Sequence, residues 1–182
     1  MVSQVHAGHP PPTDRLRLRR LTIDDAPLML AIWNDPGFVQ YVGDRGIRSL
    51  AEAEEAMRDG VLRLYEEFGY GPYAMDRKEG GPAIGICGLF RRDGFDDPDV
   101  GFAVLPAFRG KGYVYEAARS VVDYARDGLG VSRLKAIVSP DNAASVAIIR
   151  KLGLEFEKMH RMPGDEDDVA LYGISLMQAQ GG

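Results

Sequence analysis

The 182-residue chain is poor in the residues that build metal and disulfide chemistry: it has one cysteine, three histidines and one tryptophan. A lone Cys87 excludes an internal disulfide framework. It sits in the apolar run AIGICGLF and reads as a small core residue. So few histidines and cysteines leave no ligand set for a structural zinc site, and no metal is expected. No apolar run reaches the length of a membrane span, and the opening residues MVSQVHAGHPPPTD lack the apolar core of a signal peptide. A soluble cytoplasmic protein with no membrane partner is expected. Excess positive charge is missing too. The balance of 22 Lys and Arg against 27 Asp and Glu gives −5, which argues against nucleic-acid binding, since that needs a basic face. The phosphate loop GxxxxGK followed by Ser or Thr does not occur.

What remains is a chain with 45% hydrophobic residues and the length of one domain. Residues 1–14 read as a flexible lead-in, 15–177 as the domain and 178–182 as a tail. The local signals order as follows. Arg15 to Leu21 alternates like a half-buried strand. A helix opens at Asp24 or Asp25 and carries Ala26, Met29, Leu30 and Trp33 on one face. Asn34 to Asp44 reads as irregular. Ser49 and Glu52 have capping-box spacing and open a helix that runs to Gly69. Strands are expected over Gly71–Asp76, Ala83–Phe90 and Val100–Leu105, the last two joined in hairpin fashion. A strand over Ser132–Ser139, a helix ending at Gly153, and strands over Glu155–Met162 and Val169–Met177 complete the chain. The run strand–helix–strand in the middle requires a parallel crossover. The fold class is therefore α+β, with a mixed sheet of about seven strands and four flanking helices.

The stretch FRGKGYVYEA, Phe108 to Ala117, carries the first chemical signal. Val114, Ala117, Ala118, Val121, Val122 and Ala125 mark an amphipathic helix that Gly128 ends. A short apolar strand and a glycine-containing basic loop lead into its N-terminus. Free N–H groups, the positive dipole end, and the charges of Arg109 and Lys111 make that place fit for an anion, with phosphate foremost. The dinucleotide pattern GxGxxG is met only at Gly110 and Gly112, because Tyr115 fills the third place.

Three motifs in order resemble the GNAT N-acetyltransferases, and within them the branch of the ribosomal-protein N-terminal acetyltransferases (RimJ/RimL-like). They are RLRLRRLTIDDA, VGFAVLPAFRGKGYVYEA and SPDNAASVAIIRKLGLEFE. The resemblance spans about residues 15–177. It implies acetyl-CoA as donor and transfer of its acetyl group to a primary amine, either a protein N-terminus or a small molecule. It implies that Arg109, Gly110, Lys111, Gly112, Tyr113 and Val114 hold the pyrophosphate. It also implies that Val104 and Leu105 offer strand edge to the pantetheine arm, in a splay between the fourth and fifth strands, and that Asn142 and Ser145 face the arm's end. The plain alternative for Asn142 is a helix cap. Asp99 takes the place where this branch often has Glu and is the candidate base, the alternative being a strand-end carboxylate. Ser145 is the candidate hydrogen-bond donor to the departing sulfur. Two departures stand out. Val114 replaces the final Gly or Ala of the loop pattern and narrows the space beside the phosphates. Ile149 stands where many members place a tyrosine acid. These departures keep one alternative open, an acyl-CoA-binding module without efficient catalysis. Glu116 reads as solvated. Asp35 and Asp44 are candidates to meet the amine. The acidic runs at Asp93, Asp96 and Asp97 and at Asp165 to Asp168 would favour a cationic acceptor if they border the cleft. The assembly is expected to be a monomer or a homodimer.

Overall fold

The computed structural model describes residues 8–177. Seven strands form one mixed sheet in the order β1-β2-β3-β4-β5-β7-β6. They are β1 (Leu16–Arg20), β2 (Pro72–Arg77), β3 (Gly85–Phe90), β4 (Asp99–Val104), β5 (Arg133–Val138), β6 (Glu155–Arg161) and β7 (Asp168–Ser175). All neighbours are antiparallel except β4 and β5. That parallel pair needs a crossover, which α5 (Tyr113–Asp127) supplies. Its Ala117, Ala118, Val121, Val122 and Ala125 are buried, as the sequence stripe requires. The lead-in residues 8–14 run against this helix: Pro10 is buried, and the Ser120 hydroxyl donates to Pro11 O at 2.6 Å. The rest of the expected lead-in and the expected tail lie outside the described residues. No helix among the described residues is long and apolar enough to cross a membrane.

The helices number six among the described residues rather than the expected four, for two local reasons. First, the helix opened by Ser49 breaks at Gly60 into α3 (Leu50–Asp59) and α4 (Val61–Phe68). Gly60 leaves helical geometry with ψ −98°. The capping box itself forms, with Glu52 N–H donating to Ser49 Oγ and Ser49 N–H donating to Glu52 Oε2. Second, the segment expected to be irregular contains α2 (Pro36–Tyr41). Asp35 caps it by accepting the Phe38 N–H at 3.1 Å, and Pro36 fills the first helical position, where its missing N–H costs nothing. The remaining helices are α1 (Ala26–Trp33), which buries Met29, Ile32 and Trp33, and α6 (Ala143–Lys151).

Strands β4 and β5 decide where the site lies. They meet at one register pair, Asp99 with Lys135, and then part. On its other side β4 stays paired with β3 along its whole length. Gly85 makes that pairing close: a Cβ there would stand 2.3 Å from Ala103 O. The edge of β4 from Val100 to Val104 that faces β5 is therefore left without a ladder partner.

Candidate active site

The parted strands open into a cavity of about 440 Å³. The β4 residues Phe102 to Val104 and Leu105 form one wall, and the loop and first turn of α5 form the second. Asn142, Ala144, Ser145 and Ile148 of α6 form the third, and Asp35, Phe38, Tyr41 and Val42 around α2 form the roof. The structure thus brings together Val104, Leu105, Arg109, Gly110, Gly112, Tyr113, Val114, Asn142, Ser145 and Asp35. Lys111 lies in the same loop, its side chain directed at the Phe108 ring 5.7 Å away.

The loop is a run of backbone donors. Gly110 and Gly112 both have positive φ, 70° and 81°, a conformation that costs side-chain-bearing residues energy. The N–H groups of Gly110, Lys111 and Gly112 find no acceptor among the described residues. Those of Tyr113, Val114 and Tyr115 open α5 and have no intrahelical partner. Successive free N–H groups at the positive end of a fifteen-residue helix suit a pyrophosphate. The β4 edge suits an extended amide chain. Because the Leu105 N–H donates across to Ile84 O at 2.9 Å, strand alternation turns the N–H groups of Phe102 and Val104 into the gap. The residues present therefore fit a CoA thioester: phosphates on the loop and the pantetheine amides on the strand edge. No cluster of His, Cys, Asp and Glu suited to a metal occurs among the described residues.

Both readings of Asn142 hold at once. Its Oδ1 accepts the Ser145 N–H at 3.2 Å and caps α6. That leaves its NH₂ without a partner among the described residues, able to donate into the cavity. Ser145 Oγ likewise has no partner among the described residues.

Two carboxylates brace the Gly110–Gly112 loop, and sequence reading found neither brace. Glu116 is not solvated; its side chain is 19% exposed. It accepts the Arg15 backbone N–H at 2.8 Å, the Arg15 Nε at 2.7 Å and the Thr13 hydroxyl. Arg15 in turn donates to Lys111 O at 2.9 Å and lies 4.2 Å from the Tyr113 ring centre. Asp35 holds Arg109 from the opposite side in an ion pair. Burial pushes the Glu116 carboxyl up, but the hydrogen bonds from Thr13 and Arg15 outweigh it and hold the group below the ordinary glutamate range. A lowered folded value means that this brace stabilises above the unfolded value, about 4.3, and is lost as pH falls through the folded one. Glu116→Gln should lower stability at pH 7 by about 1 kcal/mol, a figure kept small because Arg15 is partly solvated. That corresponds to a midpoint roughly 3 °C lower in a thermal melt. The gap from the parent should narrow as pH falls below the unfolded value and close as it falls through the lowered folded one, where the parent carboxyl also protonates.

The structure does not bring Asp99 or Asp44 to the cavity wall. Asp99 is buried, its side chain only 4% exposed, with Arg92 Nε on its two oxygens at 3.0 and 3.1 Å. Burial pushes its carboxyl up against the opposing pull of Arg92. Phe102 lies three steps further along the strand, about 10 Å away. Asp44 sits on the surface and pairs with Arg48 at 2.6 Å. The two acidic runs also lie away from the cavity, with Asp97 beside Arg133 and Asp168 paired with Arg161. Tyr41 is a further cavity residue with a polar tip; the reading of Asn34–Asp44 as irregular hid it.

Comparison with known proteins agrees with this geometry. Residues 15–155 match the family model described as an acetyltransferase (GNAT) domain. An uncharacterized N-acetyltransferase of Bacillus subtilis, YoaA, is 29% identical over 167 residues, covering 89% of this chain and 94% of that protein. The crystal structure of an acetyltransferase from Agrobacterium tumefaciens superposes with a TM-score of 0.75 at 26% identity, covering 91% of this chain and 93% of the other. The fold is also that of a RimL alpha-N-protein acetyltransferase in complex with coenzyme A, with a TM-score of 0.74 at 21% identity and 92% and 97% covered. With the matched domain spanning the parted strands, the Gly110–Gly112 loop and α6, the chain belongs to the GNAT acetyltransferase family and is an acetyl-CoA-dependent N-acetyltransferase.

Proposed function

We propose that the enzyme acetylates α-amines, those of peptide or protein N-termini or of amino-acid derivatives, by direct attack on the thioester. The observation that carries this reading is the absence, among the described residues, of a free proton acceptor on the cavity wall. The ionisable side chains lining it are Asp35, Tyr41, Arg109, Tyr113 and Tyr115. Asp35 is already held by Arg109, and no histidine is among them. An amine must lose its proton to attack, so a site without a ready base favours amines that are partly neutral at working pH. An α-amine has a pKa near 8 and a lysine-type amine near 10.4. The fold shared with the RimL enzyme is in keeping with such an acceptor.

In this reading the amine nitrogen bonds to the acetyl carbon, the carbon–sulfur bond breaks, and the amine proton passes to solvent. Acetyl-CoA supplies the activated acetyl group and a leaving thiolate. The Phe102 N–H, fixed in the gap, stabilises the charge that develops on the carbonyl oxygen, and the Val104 N–H is left to the pantetheine arm. Asp99, tied to Arg92, anchors the start of β4 where the two strands still pair. Ser145 Oγ donates to the departing sulfur. An alkyl thiol has a pKa near 8.5, so this leaving group needs help rather than full protonation. Ser145→Ala should lower kcat about tenfold, the size of one hydrogen bond to a charged partner, with the Kd for acetyl-CoA within about twofold of the parent. An unchanged kcat would remove Ser145 from the mechanism. We assign the reaction to the cytoplasm, where its donor is used.

Release of free thiol from acetyl-CoA tests the reading as a whole. A peptide with a free N-terminus should release it, and the same peptide with its N-terminus blocked should not. Thiol release with neither the free peptide nor an amino-acid amide would contradict an α-amine acceptor.

A further inference from the structure

Asp35 joins two parts of the cavity that have different tasks. Its side chain is 6% exposed, and a single oxygen, Oδ2, takes both contacts: the Phe38 N–H that caps α2, and the Arg109 Nη2 from the phosphate loop. The capped helix carries Gly37, Phe38 and Tyr41 into the cavity roof. The pairing reaches across 74 residues of sequence. A buried carboxylate does not give up its cation without a large penalty, so the pair is a fixed feature. Arg109 nevertheless keeps further use. A guanidinium has five N–H donors, and the Asp35 contact occupies only one of its terminal nitrogens. Its side chain is 47% exposed and lines the cavity beside the free N–H groups of Gly110 to Tyr115.

We infer that Asp35 is a positioning residue for the donor: it holds the Arg109 guanidinium with one edge so that the other edge meets a phosphate of the CoA nucleotide, and it ties that contact to the α2 roof. An unrestrained arginine loses much rotamer freedom on meeting a phosphate, and Asp35 removes that loss before the donor arrives. The anchored fork also makes the phosphate contact directional, which a lone surface arginine is not. This inference rests on the donor placement proposed above.

The test separates a donor with phosphates from one without. Asp35→Asn keeps an oxygen for the Phe38 N–H, so α2 stays capped, but it removes the charge that holds Arg109. The Kd for CoA, measured by calorimetry, should rise about tenfold or more. With S-acetyl-pantetheine as donor, which carries no pyrophosphate or nucleotide, kcat/KM should stay within about twofold of the parent. In a double-mutant cycle, Asp35→Asn combined with Arg109→Gln should lose no more CoA affinity than Arg109→Gln alone, since Asp35 acts through that arginine. Equal losses with both donors would assign Asp35 to the roof alone. An unchanged CoA Kd, or additive losses in the cycle, would likewise overturn the proposal. Should Asp35→Asn fail to fold, Arg109→Lys carries the same test, because a lysine keeps a cation for Asp35 and has no second edge for phosphate; the same split between donors is expected, and its absence overturns the proposal. A parent protein that does not bind CoA at all would instead refute the donor site itself.

Discussion

At pH 7 a peptide with a free α-amine should be acetylated roughly 100-fold faster than the same peptide offering only a lysine side chain, and faster than a polyamine by a similar factor. The estimate starts from the neutral fractions. With a pKa near 8 about a tenth of the α-amine is neutral at pH 7, against about one part in 2,500 for an amine near 10.4. The stronger nucleophilicity of the more basic amine offsets part of that ratio of about 200. The pH dependence follows with a fixed sign. The α-amine rate should level off above about pH 8, while the lysine-type rate should keep climbing about tenfold per pH unit, so the preference should shrink roughly tenfold by pH 9. Initial rates for one peptide series across that range check this. A polyamine turned over as fast as the α-amine at pH 7 would show that the cavity gains a base from somewhere, and would remove the α-amine assignment.

Gly112→Asp should weaken CoA binding by about 100-fold while the protein still folds. Gly112 has φ 81° and sits at the N-terminus of α5. Aspartate tolerates that left-handed conformation better than most residues, so the backbone cost is about 1 kcal/mol. A Cβ there stands 3.3 Å from Arg15 Nη2, so the added side chain also disturbs the Arg15 contact that steadies Lys111 O. The larger effect is electrostatic. A carboxylate about 5 Å from a phosphate repels it by roughly 3 kcal/mol per unit charge at an effective dielectric of about 20. A calorimetric titration with CoA measures the loss, and a thermal melt measures the fold. An affinity within threefold of the parent, in a folded variant, would move the pyrophosphate away from this loop.

Much of this site could be read from the sequence because its parts are local. The glycines, the basic residues and the helix stripe from Val114 fall within about twenty residues, and so do Asn142 and Ser145 at the opening of α6. The capping box at Ser49 and Glu52 is legible for the same reason. The parting of β4 from β5 came with the resemblance, and the single register pair Asp99–Lys135 shows its physical form. What stayed hidden is non-local or depends on burial. Arg15 and Glu116 are 101 residues apart, and Arg109 and Asp35 are 74 apart. A single sequence carries no signal that joins such pairs, so Glu116 reads as solvated and Asp35 as free for an amine. Asp99 lies in a short polar-to-apolar transition, and nothing local shows that Arg92 covers it. α2 lies in a segment that reads as irregular, since Pro36 and Gly37 are poor helix formers in isolation, although Asp35 before Pro36 is itself a helix-start signal. The break at Gly60 depends on one glycine in an otherwise periodic helix.

The most direct measurement is a crystal structure of the enzyme with CoA bound. The expected density has pyrophosphate oxygens within hydrogen-bond distance of the N–H groups from Gly110 to Tyr115, with the Arg109 guanidinium between a phosphate and Asp35. The pantetheine arm is expected in the gap between β4 and β5, against the free edge at Phe102 and Val104. CoA bound outside that gap, or phosphates away from the Gly110–Gly112 loop, would contradict the account.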